Sequence, residues 1–261
     1  MPFPLAHAAA VLPLMRRPFV PSALVAGAVA PDAVYLLPND ALAPDHTHEF
    51  LSVLWLDPLL ALVLLAGFTL VVKRPLLALA PASLAARLPS PTEPFRLPTL
   101  PVLGWSVVSA VIGAFTHVLW DSFTHYKGYF VRHNWSFFTA NVTADWDVNR
   151  VLQYVSTVGG CLVLTVWLYR WFRRTPPRVV VSADHVRPWV TYAVLAAFLL
   201  VGTVTAVARV WRAQGELVGE AAARLVLTGA ASGCAAVLGS YVVLWHAVRM
   251  RRIRSGGAQV P

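Results

Sequence analysis

From Val102 to Thr116 the chain runs fifteen residues without a charge, and the nine that follow, His117-Val-Leu-Trp-Asp121-Ser-Phe-Thr-His125, carry three ionisable side chains. An apolar run of this length, continued to about Phe123, reads as a membrane-spanning helix. On that helix the i, i+4, i+8 spacing puts His117, Asp121 and His125 on one stripe. Ionisable groups at the end of a span are costly to bury without partners, water or a metal. Imidazole and carboxylate at this spacing suit a divalent ion such as zinc. The chain is thereby constrained to a fold that brings further ligands to the end of this helix.

Composition extends the membrane reading to the whole polypeptide. Its 261 residues are 57% hydrophobic and 13% charged, and mean hydropathy is +0.63. A soluble domain carries about 25% charged residues. The net charge of +9 is almost all arginine, since the lysines are Lys73 and Lys127 alone. Arginines between apolar runs read as topology signals and lipid-headgroup contacts. No basic stretch is long enough to fold by itself, so no nucleic-acid partner is expected. Cys161 and Cys234 lie inside apolar runs and read as packing residues, not as a disulfide or metal site. Arg16 and Arg17 follow the first apolar stretch instead of preceding it, so no cleavable signal is expected.

In chain order, residues 3–15 are apolar but too short to cross a core of about 30 Å as a helix. His7 is their ionisable side chain. Residues 19–37 are apolar enough to span, but Pro31-Asp32 interrupts them. They are read as a broken or re-entrant segment, with a helix opening at Pro31 and capped by Asp32 as the alternative. Residues 38–50 form an acidic loop with Asp40, Asp45, His46, His48 and Glu49. Clear spans are expected at 51–72, 102–123, 151–169, 189–208 and 224–247. Asp57-Pro58 marks a cap or kink near the start of the first. Seven prolines make 73–101 irregular, with a short interfacial helix around Ala78–Ala86. Residues 124–150 are a loop rich in aromatics. It reads either as a belt at the membrane surface or as a lid or acyl-chain groove over the site, with polar contacts from Arg132, His133, Asn134, Asp145 and Asp147. His185 and His246 are read as solvated and interfacial. The sequence is thus all-α and polytopic, with about five transmembrane helices and a broken N-terminal segment. Residues 1–248 are read as one integral membrane domain and 249–261 as a basic, disordered tail.

Charge asymmetry orients this arrangement. Lys73, Arg74, Arg87 and Arg96 follow the first span, five arginines follow the third, and four lie in the tail. The alternate loops are poorer in positive charge. The C-terminus is then cytoplasmic. His46, His48, His117, Asp121 and His125 fall on the outer side, as do His7 and Asp32 if 19–37 does not cross. The candidate ligands are therefore His7, Asp32, His46, His48, His117, Asp121 and His125, for one or two divalent ions, with zinc preferred. Asp45 and Glu49 are the candidate general bases or orienters.

The opening Met-Pro-Phe-Pro-Leu-Ala-His-Ala-Ala-Ala-Val-Leu-Pro-Leu, the Gly-Ala-Val-Ala-Pro-Asp32 stretch, the His117–His125 motif and Leu-Gln153-Tyr-Val-Ser-Thr-Val-Gly-Gly resemble the bacterial membrane family called domain of unknown function 4184. That resemblance implies a bacterial cell-membrane location and no particular activity. More remotely, the order His, Pro-Asp, His-x-His, His-x-x-x-Asp resembles membrane-bound metal-dependent hydrolases and the zinc-dependent phospholipase C and single-strand nuclease group. That likeness implies phosphoester hydrolysis, with ligand roles for His7, Asp32, His46 or His48, His117 and Asp121. A second His-x-x-x-Asp/Glu of the soluble enzymes has no counterpart after His125, which puts a three-zinc cluster in doubt.

The reading reached is a metal-dependent hydrolase acting on a lipid or lipid-linked phosphoester at the outer membrane face, with membrane lipids as partners. Its rivals are a transporter or channel with a His/Asp relay, a structural membrane protein whose His/Asp groups only satisfy one another, and a non-hydrolytic membrane enzyme such as a cyclase.

Overall fold

The computed structural model describes residues 4–36, 44–88, 98–144, 146–178, 186–213 and 219–256. The elements among them are helical: α1 (Ala8–Val11), α2 (Pro21–Ala33), α3 (Leu56–Gly67), α4 (Lys73–Leu79), α5 (Ala82–Ala85), α6 (Leu100–Thr124), α7 (Tyr129–His133), α8 (Trp135–Phe138), α9 (Val148–Arg174), α10 (Pro188–Arg212) and α11 (Glu220–Gly256). Short 3-10 turns and one π-helical turn, Phe68–Val72, join some of them. Five helical stretches are long and apolar enough to cross a bilayer: Leu56–Leu79, Leu100–His133, Val148–Arg174, Pro188–Arg212 and Ala221–Arg252. The protein is an all-α, multi-pass membrane protein, as its apolar runs predict.

Several boundaries differ from the sequence reading. The first span begins at Leu56, because Pro44–Thr47 and Ser52–Leu54 are wound into 3-10 turns. It then runs on as α4 through Lys73 and Arg74, where a loop was expected. Long basic side chains carry their charge away from the backbone, so they do not end a helix by themselves. For the same reason α11 continues through the tail arginines to Gly256. Arginine and methionine are good helix formers, and cations favour a helix C-terminus. The disorder expected of the tail therefore does not begin at 249. The aromatic loop contains α7 and α8 and a bridge between Asn141 and Asp147.

The chain forms two compact units. One comprises Met1–Gly67 with Arg96–Thr175, the other Phe68–Phe95 with Pro176–Pro261. In the first, α2 packs on α6 and α3 through Ala26, Ala30, Ala61 and Ala110. α2 has thirteen residues, about 20 Å at 1.5 Å per residue, and is too short to cross the bilayer. It does not break at Pro31, and no new helix opens there with Asp32 as its cap. Pro31 and Asp32 sit in its last turn, which relaxes into a 3-10 turn at Val34–Leu36. A proline at the end of a helix costs one backbone hydrogen bond, where the ladder is ending anyway. In the second unit, α11 packs on α4 and the start of α10 through Ala78, Tyr241, Val242 and Trp245. The Tyr241 hydroxyl donates to the Pro75 carbonyl at 3.0 Å.

Candidate metal centre

The centre begins with two glycines. A Cβ placed on Gly27 of α2 would stand 2.2 Å from the Ala110 carbonyl oxygen of α6, and one on Gly113 would stand 2.2 Å from that of Leu24. The two backbones are therefore in direct contact, as small residues allow between apolar helices. This approach brings the Ala28 carbonyl within 2.7 Å of His117 Nδ1. A carbonyl only accepts, so Nδ1 carries the proton. In the neutral ring the lone pair is then on Nε2. Nε2 faces Asp121 Oδ2 at 3.4 Å and Asp32 Oδ1 at 3.8 Å.

His48 is oriented in the same manner from another part of the chain. The Thr47 hydroxyl donates to the Pro31 carbonyl at 2.9 Å, and its oxygen lies 3.2 Å from His48 Nδ1. With its proton committed, that oxygen accepts from Nδ1. His48 Nε2 is left facing Asp32 Oδ1 at 3.4 Å and Asp121 Oδ2 at 3.5 Å. One atom from each of Asp32, His48, His117 and Asp121 lies within 4.8 Å of every other. The two carboxylates also sit in the last turns of α2 and α6. There each helix dipole adds negative potential instead of relieving it.

Two lone pairs and two carboxylates turned on one point require a cation. Protons or a metal ion can serve. Nitrogen–oxygen hydrogen bonds are about 2.7–3.2 Å long. Ligands about 2.0–2.1 Å from a tetrahedral zinc stand about 3.3 Å apart. The spacings of 3.4–3.8 Å leave room for an ion between the four donors. Among the described residues, His117 Nε2 and both Asp121 oxygens are buried without a hydrogen-bond partner. The donor set, two imidazoles and two carboxylates with the outer ring nitrogens held by a carbonyl and a hydroxyl, could hold a divalent metal ion. Without metal, the proton goes to His48. Burial alone would lower its pKa, but the Asp121 and Asp32 carboxylates beside the ring outweigh burial and raise it to about 10.

His7 and His125 flank this group. The His7 ring stacks on His117 with centroids 3.8 Å apart, and its Nε2 is 3.4 Å from the other Asp121 oxygen, Oδ1. Burial, with His117 alongside, lowers the His7 pKa to about 4, so the ring is neutral. Gly160 of α9 lets the Pro4–His7 turn come this close, since a Cβ there would lie 2.8 Å from the Ala6 carbonyl oxygen. His125 Nδ1 lies 3.5 Å from Asp121 Oδ2 and 3.2 Å from the Thr124 hydroxyl. Its Nε2 meets the Gln153 amide nitrogen at 3.4 Å.

Of the seven ligands expected from sequence, four form the cage, and His7 and His125 touch Asp121 beside it. His46 is exposed and outside the group. Glu49 is also exposed, and its backbone carbonyl accepts the Ser52 hydroxyl at 2.6 Å. The side chain of Asp45, with Asp40, Asp145 and His185, lies outside the described residues. Sequence reasoning gave no role to Thr47 or to the Gly27–Gly113 contact. Asp57 was read as a cap or kink; it is fully buried in the first turn of α3 and accepts the Ser52 hydroxyl at 2.8 Å. An acid preceding a long apolar run was the available signal.

Two features bear on the rival readings. His117 and Asp121 are not directly hydrogen-bonded, and a cavity of about 380 Å³ lies beside His7. Neither is what a self-satisfied structural cluster requires. The aromatics of 124–150 pack mainly on one another, as Tyr129 does on Phe130 at 5.3 Å and Tyr126 on Trp135 at 6.1 Å. They do not line that cavity.

No curated protein and no solved structure matches the chain. A family model does, that of Domain of unknown function (DUF4184), over residues 1–243. That range covers all four residues of the cage and both flanking histidines, and the chain belongs to this family.

Proposed function

We propose that this protein is a metal-dependent membrane hydrolase acting on a lipid or lipid-linked phosphoester at the extracytoplasmic face. The observation that carries the reading is the pair of tautomer-fixed imidazoles, His48 and His117, whose lone pairs face two buried carboxylates. Asp32, His48, His117 and Asp121 would hold the ion, with zinc preferred. A bound zinc supplies Lewis acidity to a phosphoryl oxygen and acidifies water. Proton handling falls to the flanking pair. His7 is neutral at physiological pH and keeps Nε2 against Asp121. The His125 side chain is about a third exposed, so it can exchange a proton with solvent.

The membrane setting supports a lipid substrate, because the cage is built on one of the five spans. The arginine asymmetry of the loops supports the outer face, as does an α2 too short to carry His7 across the bilayer. The test is elemental analysis of detergent-purified protein, paired with phosphate or headgroup release from phospholipid and isoprenyl-phosphate substrates. One metal per chain and activity lost in His117→Ala and Asp121→Ala are expected. Activity in metal-free protein, or unchanged in those variants, would overturn the reading.

A further inference from the structure

The 380 Å³ cavity is a half-open cleft lined by the Pro4–Val11 segment, α6 and α9. Alanines of the N-terminal segment, Leu119 and Trp120 make most of its wall. Three hydroxyls reach it, and each has already given away its proton. Thr116 donates to the Gly113 carbonyl at 2.7 Å, and Ser156 and Thr157 donate to that of Gln153 at 3.0 and 2.8 Å. Apart from His7 and the Trp120 indole, the lining offers few donors to a polar ligand or to a cluster of waters, and a site for water needs several polar partners. Its one ionisable lining residue is His7, which stacks on the cage ligand His117.

Two of its walls belong to apolar helices long enough to cross a bilayer. Ser156 lies eight residues into α9, about 12 Å at 1.5 Å per residue. That depth falls within the apolar slab of about 30 Å. The volume takes about a dozen groups of the size of water, at ~30 Å³ each, which is most of one acyl chain. A transmembrane helix, about 10 Å across with side chains, is too thick for it.

We infer that this cavity binds one acyl chain of a membrane phospholipid, which enters beside His7 and runs between the N-terminal segment, α6 and α9. The phospholipid's headgroup then lies one imidazole ring away from the cage. The chain site stands on the cavity alone; its meaning as a substrate site rests on the hydrolase reading above.

The test uses full-length protein in phosphatidylglycerol vesicles doped with phosphatidylglycerol that carries a diazirine near the end of one acyl chain. After illumination, cross-links are mapped by mass spectrometry, and metal content is measured on the same samples. Labelling concentrated on Leu119, Trp120 and Thr157 is expected. It should fall about tenfold, or 1.4 kcal/mol, in Ala9→Trp and in Thr157→Phe, which fill the cavity from opposite walls, with metal content unchanged. Equal labelling of outward-facing Val158 and Leu162, or labelling that neither filling variant reduces, would overturn the inference. Cavity labelling in protein that binds no metal would support the chain site and remove the hydrolase reading. Bound metal without cavity labelling would do the reverse.

Discussion

His117 and Ala28, 89 residues apart, are joined by a 2.7 Å hydrogen bond from imidazole Nδ1 to backbone carbonyl. The bond exists because α2 and α6 touch through Gly27, Ala110 and Gly113 with no side chain between them. It fixes the tautomer that turns Nε2 into the cage. Helix packing and the orientation of the cage's donor atoms are thus one device.

Widening that contact will cost metal before it costs the fold. Gly113→Val puts atoms where the Leu24 and Ala28 backbones stand, and overpacking of this kind destabilises by about 1–3 kcal/mol. Metal affinity should fall at least about tenfold as Ala28 leaves His117, since outer hydrogen bonds to ligating histidines are worth about 10–100-fold. Gly104→Ala, with nothing within 4 Å of the added Cβ, is the control and should leave affinity unchanged. Competition titration against a chromogenic chelator reads both.

The two histidines of His46-Thr-His48 should behave oppositely. His48→Ala removes a cage ligand and should abolish stoichiometric metal. His46→Ala should leave it intact, because that side chain is exposed and outside the group. Thr47→Val removes the oxygen that accepts His48 Nδ1, and should weaken binding about 10–100-fold without eliminating it. Metal per chain after dialysis, across these three variants, checks the order.

The contrast within that tripeptide shows how far the sequence was legible. The apolar runs fixed five spans, and the lone acids and histidines at their ends marked Asp32, His117 and Asp121, since an isolated charge in such a place demands a partner. His46 and His48 were indistinguishable, because choosing between them depends on where a 3-10 turn, Pro44–Thr47, leaves each ring. No periodicity reports that. The depth of Asp57 and the approach of Gly27 to Gly113 are equally properties of packing between segments. The run of α11 through its arginines was missed because charge was read as a stop, although arginine is a good helix former.

Metal uptake should release protons. In metal-free protein the raised His48 pKa of about 10 keeps the ring charged at pH 7, and an incoming cation expels that proton. Apparent metal affinity should therefore rise about tenfold per pH unit between pH 6 and 8 for one proton displaced. Metal-free stability should run the other way. A raised folded-state pKa contributes stability that is complete below the unfolded value of about 6.5 and is lost as pH climbs towards 10. Calorimetry in buffers of different ionisation enthalpy reads the proton count, and melting with chelator from pH 6.5 to 10 reads the stability. His48→Gln should flatten both dependences.

A substitution confined to the second unit separates folding from the site. α10 and α11 meet at Gly202, Thr205 and Ala206 against Gly229 and Gly233, a small-xxx-small face on each helix. The Thr205 hydroxyl lies 2.8 Å from the Gly229 carbonyl across this contact. A Cβ on Gly233 would stand 2.7 Å from the Val201 carbonyl oxygen, so Gly233→Leu has to force the pair apart. Every cage ligand belongs to the first unit. Gly233→Leu should therefore lower the melting temperature by several degrees, as about 1–3 kcal/mol of overpacking implies, while metal per chain and affinity stay at wild-type values. Loss of metal in this variant would show that the cage depends on the second unit's packing, and would move the boundary of the functional unit to the whole chain.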